Sequence, residues 1–174
     1  HRFFRHRHSP RPHPRRRKLA MTEAVNAKVY STLSHHYLQL PHCQTIGLRF
    51  EHAHNRSQTL SVDWRDDLLG NQDTQVLHGG VITTLVDVSS ATAVAAHLPD
   101  FETLATLDMR IDYLHAATPK LRVFATSDCY RLSGQVAFVR TVCYHENDSD
   151  NPIALGTATF MRSPIPAHLK ELIK

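Results

Sequence analysis

The apolar segment between residues 79 and 97 constrains the fold of this chain more than any other stretch. Gly79 and Gly80 open it, and every residue from position 81 to position 96 is apolar, serine or threonine except Asp87. This pattern predicts a helix that is buried on most of its sides. The segment is too short and too rich in serine and threonine for a typical membrane span. A lone carboxylate in a buried helix is costly unless it is hydrogen-bonded, paired or used in chemistry, so Asp87 is either a structural carboxylate or a functional one.

Alternating apolar residues predict strands on both sides of this helix. One more helix is predicted before them, over residues 22–40, with Pro41 as its stop. The predicted strands cover residues 46–51, 60–64, 105–113, 121–131, 135–145 and 153–161. Residues 65–75 are predicted to form a loop, and Ser133-Gly134 to form part of a hairpin turn. This order predicts an α+β fold in which one curved antiparallel sheet wraps around one long central helix.

Two of the predicted strands carry further information. Strict alternation in the strand over residues 105–113 would separate an apolar face from a polar face. These faces are Ala105, Leu107, Met109, Ile111 and Tyr113 on one side and Thr106, Asp108, Arg110 and Asp112 on the other. Such a strand is half exposed, or turns its polar face towards a site or a partner. In the last strand, Gly156 predicts a bulge or a close contact with the helix.

The charge of the chain is unevenly distributed. The formal net charge is +4, but the first 20 residues hold eight basic residues and no acidic one, so the rest of the chain is mildly acidic. Residues 1–20 are predicted to be a disordered basic leader, and residues 21–174 a single domain. Met21 resembles a natural start, so the arginine-rich leader is either non-native or a targeting peptide. The acidic domain is not expected to bind nucleic acid, and no membrane partner is expected.

The cysteines bear on the compartment and on metal binding. Cys43, Cys129 and Cys143 are odd in number and have no metal-like spacing. This usage predicts free thiols in a reducing, cytoplasmic environment, and no metal site.

Several motifs together resemble one known family. In chain order they are His78-Gly79-Gly80, Leu85-Val86-Asp87, the segment from Thr106 to Tyr113, and Ser133-Gly134. With this spacing, residues 44–162 resemble the hotdog-fold acyl-CoA thioesterases of the PaaI-like family. The resemblance implies a hotdog fold, hydrolysis of an acyl or aryl-acyl thioester to a free acid and CoA, and no cofactor. It also implies a homo-oligomer, either a dimer or a dimer of dimers.

The resemblance assigns expected roles to the residues at the helix and on the strand after it. Asp87 would be the catalytic carboxylate, and Thr106 would help to orient the attacking water. His78, Gly79 and Gly80 would form the helix start that faces the thioester, with His78 either orienting the loop or acting in proton transfer.

Candidate substrate-binding residues lie before and after this segment. Relatives often carry an asparagine six residues before the motif histidine, where it can contact the thioester region. Gln72 holds that position here, and Asn71 lies one step earlier, so either residue is a candidate. The Ser133-Gly134 hairpin would lie near the CoA nucleotide, and Arg131 beside it could meet the phosphates.

The chemistry of thioester hydrolysis agrees with these positions. Backbone N–H groups at a helix start favour developing negative charge and would polarise the carbonyl, and glycines allow close approach. Asp87 would then act as a general base or as a nucleophile. Gly79 and Asp87 are eight residues apart, which is about 12 Å along a helix. One short side chain cannot span that distance, so the sequence predicts a homodimer whose sites are built across the interface.

Two alternatives remain open at this stage. The first is another hotdog enzyme, a hydratase or dehydratase that moves water across a double bond of an acyl thioester. The second is a non-catalytic module that binds acyl-CoA without turnover. An intact Asp87 and Thr106 argue against the second.

Overall fold

The computed structural model describes residues 36–54 and 56–165. The helices are α1 (Pro41–Ile46) and α2 (Gly79–His97). The strands are β1 (Leu48–His54), β2 (Ser57–Val62), β3 (Leu69–Asn71), β4 (Val76–Leu77), β5 (Glu102–Tyr113), β6 (Val123–Ser133), β7 (Val136–Tyr144) and β8 (Ala154–Pro164). The predicted leader over residues 1–20 and most of the helix predicted over residues 22–40 lie outside the described residues.

One large sheet packs against the central helix. Six strands pair antiparallel in the order β1-β2-β6-β7-β8-β5, and β3 and β4 form a separate small hairpin. Helix α2 contacts strands from both edges of the large sheet, so the sheet wraps around it. The predicted α+β architecture is confirmed.

Helix α2 supplies much of the apolar core. It is long and apolar enough to cross a membrane. However, 61% of the apolar stretch of 18 residues within it is buried inside the protein, as in the core helix of a globular domain. The half-buried positions in its first half recur at helical spacing and form one stripe, made of Thr83, Thr84, Asp87 and Val88. Asp87 therefore lies on the side of the helix that faces away from the core.

Pro41 has a role that the sequence prediction missed. The helical conformation described at residues 36–37 ends before Pro41, as predicted. Pro41 begins α1, because its missing N–H would have no partner in a first helical turn and its fixed φ suits that position. The helix ends at Gly47, whose φ of +79° is left-handed and whose N–H bonds the carbonyls of Cys43 and Gln44. Strand β1 consequently begins at Leu48 rather than at Ile46.

The alternation predicted for β5 holds from Asp108 to Tyr113 but fails before them, because the strand contains a bulge. Thr106 pairs with Phe160 and Asp108 pairs with Thr159, which leaves Leu107 as an extra residue without a partner. The extra residue reverses the alternation. Leu107 is 54% exposed, and Thr106 faces α2 on the same side as Met109.

The segment over residues 65–75 is more ordered than a loop. It contains a 3-10 turn at Asp66–Leu68 and the β3 strand, and it continues into β4. The His78 N–H bonds the carbonyl of Leu68 at 2.8 Å, so this segment holds the start of α2 in place.

The cysteines are free, as predicted. All three are buried. Burial raises the pKa of the Cys143 thiol to about 12, and chiefly burial raises the pKa of the Cys129 thiol to about 11. These thiols stay protonated and unreactive near neutral pH.

Gly156 makes the close helix contact that the sequence predicts. A Cβ at this position would lie 2.8 Å from Cγ1 of Val86 and 3.4 Å from Cβ of Thr141. We expect Gly156→Ala to lower the free energy of unfolding by about 1–3 kcal/mol, the usual cost of overpacking a core, in chemical denaturation. Val86→Ala removes the clashing methyl group, so the Gly156→Ala substitution should cost less in that background. An equal cost in both backgrounds would contradict this account.

Candidate active site

His78 caps the start of α2 with its own side chain. Its Nδ1 accepts the N–H of Gly80 at 2.9 Å, and its carbonyl accepts the N–H of Val81 at 2.9 Å. An accepting Nδ1 assigns the neutral tautomer, with the hydrogen on Nε2. Within the described residues the N–H of Gly79 has no acceptor, so Gly79 is the free donor of this first turn.

The two glycines are needed for different reasons. A Cβ at Gly80 would lie 2.9 Å from Nδ1 of His78 and would displace the capping imidazole. The nearest atoms to a Cβ at Gly79 would all belong to Tyr113, with the hydroxyl at 3.6 Å and two ring carbons at 3.7 and 3.8 Å, which are ordinary contacts. Gly80 therefore preserves the cap, whereas Gly79 leaves the free N–H open to an approaching ligand.

Tyr113 braces this turn, and the sequence prediction missed it as a site residue. The Tyr113 hydroxyl donates to the carbonyl of Gly79 at 3.0 Å, and the Thr83 hydroxyl lies 2.8 Å from the same tyrosine oxygen. A tyrosine has an apolar ring and a polar hydroxyl that needs a hydrogen-bond partner when the ring is packed. A tyrosine at the end of a predicted strand was therefore the signal in the sequence that could have indicated this contact. The assumed alternation hid it, because it assigned Tyr113 to a purely apolar face.

Asp87 and Thr106 meet as the sequence suggested. The Thr106 hydroxyl donates to Oδ1 of Asp87 at 2.9 Å, and the Asp87 side chain is half-buried. The bulge at Leu107 makes this contact possible, since it turns Thr106 towards α2. The second carboxylate oxygen has no protein donor among the described residues and can accept a proton from water.

The segment before β1 forms a wall beside this carboxylate. Burial, and then the negative charge of Asp87, raise the pKa of Tyr37 to about 12. The same two causes raise the pKa of the Cys43 thiol. Nε2 of His42 lies 3.1 Å from the Thr84 hydroxyl and ties α1 to the same stripe of the helix. No feature of the sequence pattern indicated that Tyr37 and Cys43 would lie close enough to Asp87 for its charge to affect their pKa.

One chain does not bring the two candidate catalytic groups, the N–H of Gly79 and the carboxylate of Asp87, together. Gly79 and Asp87 lie on a single unbroken helix, with eight residues and therefore about 12 Å between them. The chain thus carries two half-sites. The donor half is the N–H of Gly79 with its His78 cap, and the carboxylate half is Asp87 with Thr106.

Asn71 ends β3 and Gln72 begins the turn after it, close to Gly70, whose position packs against His78 in the donor half. The Asn71 side-chain oxygen accepts the N–H of Thr74 at 2.9 Å, so it stabilises the turn. The exposed Gln72 side chain makes no hydrogen bond with any residue that the structure describes. Gln72 is therefore the better placed of the two to contact a ligand.

The predicted CoA-contacting residues lie at the other end of the sheet. The Ser133-Gly134 turn is a hairpin as predicted, with Gly134 at a left-handed φ of +57°. Ser133 pairs with Val136, which pairs with Met161 near the start of β5, whereas Tyr113 and the helix start are at the end of β5. In one chain this hairpin and Arg131 therefore lie far from Gly79.

The two arginines near this hairpin differ in their availability. Arg162 forms two hydrogen bonds with the Glu102 carboxylate, at 3.0 and 2.9 Å. This pairing raises the pKa of Arg162, and the Glu102 carboxylate balances the charge of the guanidinium. Arg131 is exposed and has no ion pair with a described residue, so it is the available cation at this end.

A cavity of about 330 Å³ opens beside the donor half-site. Its lining is mainly apolar, with His115 as a polar exception, and Gly79 itself is part of the wall. The lining residues come from β4, the first turn of α2, the end of β5, residues 115–117 after it, and the segment before β8. The volume is within the range of small-molecule sites, roughly 300–1,000 Å³.

Comparison with known proteins identifies the family. A family model described as Thioesterase superfamily matches residues 74–150, which contain both half-sites. A protein of Salmonella typhimurium named medium/long-chain acyl-CoA thioesterase YigI is 30% identical over 135 residues, which are 70% of this chain and 85% of that protein. This chain belongs to the thioesterase superfamily.

Solved structures agree with this assignment. A Pseudomonas aeruginosa protein, 38% identical, matches with a TM-score of 0.70 over 77% of this thioesterase and 98% of that chain. A variant of the phenylacetic acid degradation protein PaaI from Thermus thermophilus, 26% identical, has a TM-score of 0.61 over 71% of this chain and 99% of that one. The predicted hotdog fold, the PaaI-like resemblance and the prediction of a thioester hydrolase are confirmed.

Proposed function

We propose that this thioesterase hydrolyses acyl-CoA to a free acid and CoA. The observation that carries the proposal is the contact between Asp87 and Thr106 on a helix whose first turn offers the N–H of Gly79. The YigI relatives support the substrate class, since they are named for medium- and long-chain acyl-CoA. We extend that class to this chain, acting in the cytoplasm as its free thiols suggest.

In the proposed reaction the thioester carbonyl accepts the N–H of Gly79, which stabilises the negative charge that develops on its oxygen. Asp87 takes a proton from a water that Thr106 helps to orient, and the water oxygen adds to the carbonyl carbon. The intermediate then collapses, the carbon–sulfur bond breaks, and the leaving CoA sulfur takes the proton from Asp87, which regenerates the carboxylate. Direct attack by the Asp87 carboxylate would instead give an anhydride that water hydrolyses.

The two halves act on one carbonyl if they come from two subunits. β5 is an edge strand of 12 residues, and apolar side chains are exposed along it and just after it: Leu107 at 54%, Tyr113 at 51% and Leu114 at 51%. An open edge of this kind favours pairing with another strand. Antiparallel pairing with a second copy would bring the Thr106 end of one β5 beside the Tyr113 end of the other. That arrangement brings Asp87 of one subunit towards the Gly79 of its partner, so the proposed assembly is a homodimer.

The test is an assay of thiol release from saturated acyl-CoAs, run beside an assay of enoyl-CoA hydration. We expect release of CoA from the acyl-CoAs and no hydration. Hydration without release would favour the hydratase alternative, because that enzyme adds water to a double bond and leaves the thioester intact. Tight binding of acyl-CoA without either reaction would favour the non-catalytic alternative.

A further inference from the structure

A chain of hydrogen bonds runs from the end of β5 into the first turn of α2. The Tyr113 hydroxyl donates to the carbonyl of Gly79 at 3.0 Å. The N–H of Gly80, which belongs to the same peptide group, donates to Nδ1 of His78 at 2.9 Å. Hydrogen bonds in series polarise one another, so a peptide group whose carbonyl accepts a hydrogen becomes a stronger donor at its N–H. The Tyr113 hydroxyl therefore strengthens the bond that holds the His78 cap.

Thr83 joins this chain at the same carbonyl. Its hydroxyl oxygen lies 3.1 Å from the Gly79 carbonyl oxygen and 2.8 Å from the Tyr113 hydroxyl oxygen. Each hydroxyl has a single hydrogen to donate. Either both hydroxyls donate to the carbonyl, or one donates to the other and the second donates to the carbonyl. In each arrangement the carbonyl of Gly79 is held by side chains of two elements, the helix and the end of β5.

The turn needs this support because it contains two successive glycines. Glycine has no Cβ to restrict its backbone, so Gly79 and Gly80 rotate more freely than the other residues of the helix. The N–H of Gly79 is fixed from one side, since the carbonyl of its own peptide group accepts the N–H of Val81 at 2.9 Å. The Tyr113 hydroxyl fixes the next peptide group along the chain. A misplacement of about 1 Å can cost roughly 10²-fold in rate, so the orientation of both groups matters for a donor that must meet the thioester oxygen.

Packing alone does not explain the position of this tyrosine. Tyr113 is 51% exposed in one chain, so its ring gains less from burial than a core aromatic residue does. Its hydroxyl nevertheless has both of its contacts at the start of α2. In the proposed homodimer this end of β5 lies beside the Thr106 end of the partner strand. The hydroxyl is then enclosed in the shared site, where the exclusion of water strengthens its hydrogen bonds.

We propose that Tyr113 is a positioning residue of the donor half-site. Its hydroxyl fixes the peptide group between Gly79 and Gly80, so that the His78 cap holds and the N–H of Gly79 points towards the thioester oxygen. Tyr113 acts through the backbone and not by contact with the substrate. This inference rests on the proposed acyl-CoA hydrolysis.

Tyr113→Phe removes the hydroxyl and keeps the ring. We expect kcat for octanoyl-CoA hydrolysis to fall roughly fivefold, the effect of losing one typical hydrogen bond. KM should stay within about twofold, because the donor acts on charge that develops only in the transition state. Tyr144→Phe is the matched control. It removes a tyrosine hydroxyl that lies 2.8 Å from the Thr126 hydroxyl, on the face of the sheet away from α2, and should leave kcat unchanged.

Nuclear magnetic resonance of the ¹⁵N-labelled full chain separates positioning from a loss of stability. In Tyr113→Phe the amide proton signal of Gly80 should move upfield, because its hydrogen bond to Nδ1 of His78 is weaker. The ring nitrogen signals of His78 should move towards the average of the two tautomers, because Nδ1 is held less firmly as an acceptor. Both sets of signals should stay at their wild-type positions in Tyr144→Phe.

The possible outcomes separate this inference from the proposed function. An unchanged kcat in Tyr113→Phe would overturn the inference, and so would a rise in KM at constant kcat, which indicates uniform binding of the substrate. A fall in kcat with an unmoved Gly80 signal would also overturn it, because the hydroxyl would then act on the substrate itself. A wild type that releases no CoA from any acyl-CoA would instead overturn the proposed function, while the Gly80 and His78 signals would still test the hydrogen-bond chain.

Discussion

Asp87→Asn is expected to lower kcat for acyl-CoA hydrolysis by roughly 10²–10⁴-fold, the usual contribution of a general base. The amide oxygen of asparagine can still accept the Thr106 hydroxyl that lies 2.9 Å from Oδ1 of Asp87. The fold should therefore be retained while the ability to take a proton is lost. Steady-state release of CoA thiol measures the effect, and thermal unfolding measures the fold.

A matched control and an independent readout accompany this variant. Asp150→Asn changes an exposed carboxylate in the turn before β8 and should leave kcat unchanged. Asp87→Asn should also lower the pKa of Tyr37 from about 12, because the charge of Asp87 is the second cause of that raised pKa after burial. Wild-type turnover in Asp87→Asn would exclude this residue as base or nucleophile, even if the tyrosine titration shifts.

The second large effect is expected from subunits that each lack a different half of the site. Gly79→Pro removes the free N–H while keeping a residue that suits the first position of a helix. The backbone of His78, at φ −62° and ψ 136°, already has the extended conformation that a residue before proline requires. Loss of one such donor typically lowers kcat by roughly 10²–10³-fold. Gly79→Ala keeps the N–H and adds similar bulk, so it is the control for the donor itself.

A mixed dimer distinguishes shared sites from sites within one chain. In a dimer of one Asp87→Asn subunit and one Gly79→Pro subunit, one interface site lacks both groups and the other has both. We expect such dimers, purified with two different tags, to recover about half of the wild-type kcat per dimer, since one of two identical sites is intact. Purified mixed dimers that are no more active than either parent would contradict a site shared between subunits.

The sequence was sufficient for the features that depend on local periodicity. The apolar run predicts α2, and its single carboxylate singles out Asp87. The prediction did not show that Pro41 also begins a helix, because proline is compatible with a helix start as well as a helix end, and only the neighbours decide between them.

The rest of the candidate site depends on contacts between residues that are distant in the chain. The pairing of β5 with β8 leaves Leu107 without a partner, and this bulge turns Thr106 towards Asp87. A one-residue bulge leaves little trace in the sequence, since its signal is a register between strands that lie far apart in the chain. Tyr113 was missed for a different reason, since it lies on the predicted face with Met109 and Ile111, and only the contact of its hydroxyl with the carbonyl of Gly79 gives it a role in the site.

By itself the sequence determined the central helix, its glycine-rich start, its one carboxylate and the spacing of about 12 Å that separates them, because the geometry of a helix depends only on residue count. Only the tertiary structure decided that the His78 side chain accepts the N–H of Gly80, while the N–H of Gly79 has no acceptor among the described residues. It also decided that Tyr113 braces that turn and that a cavity lies beside it. These features come from side chains of separate elements packing together, and periodicity along one segment carries no information about such contacts.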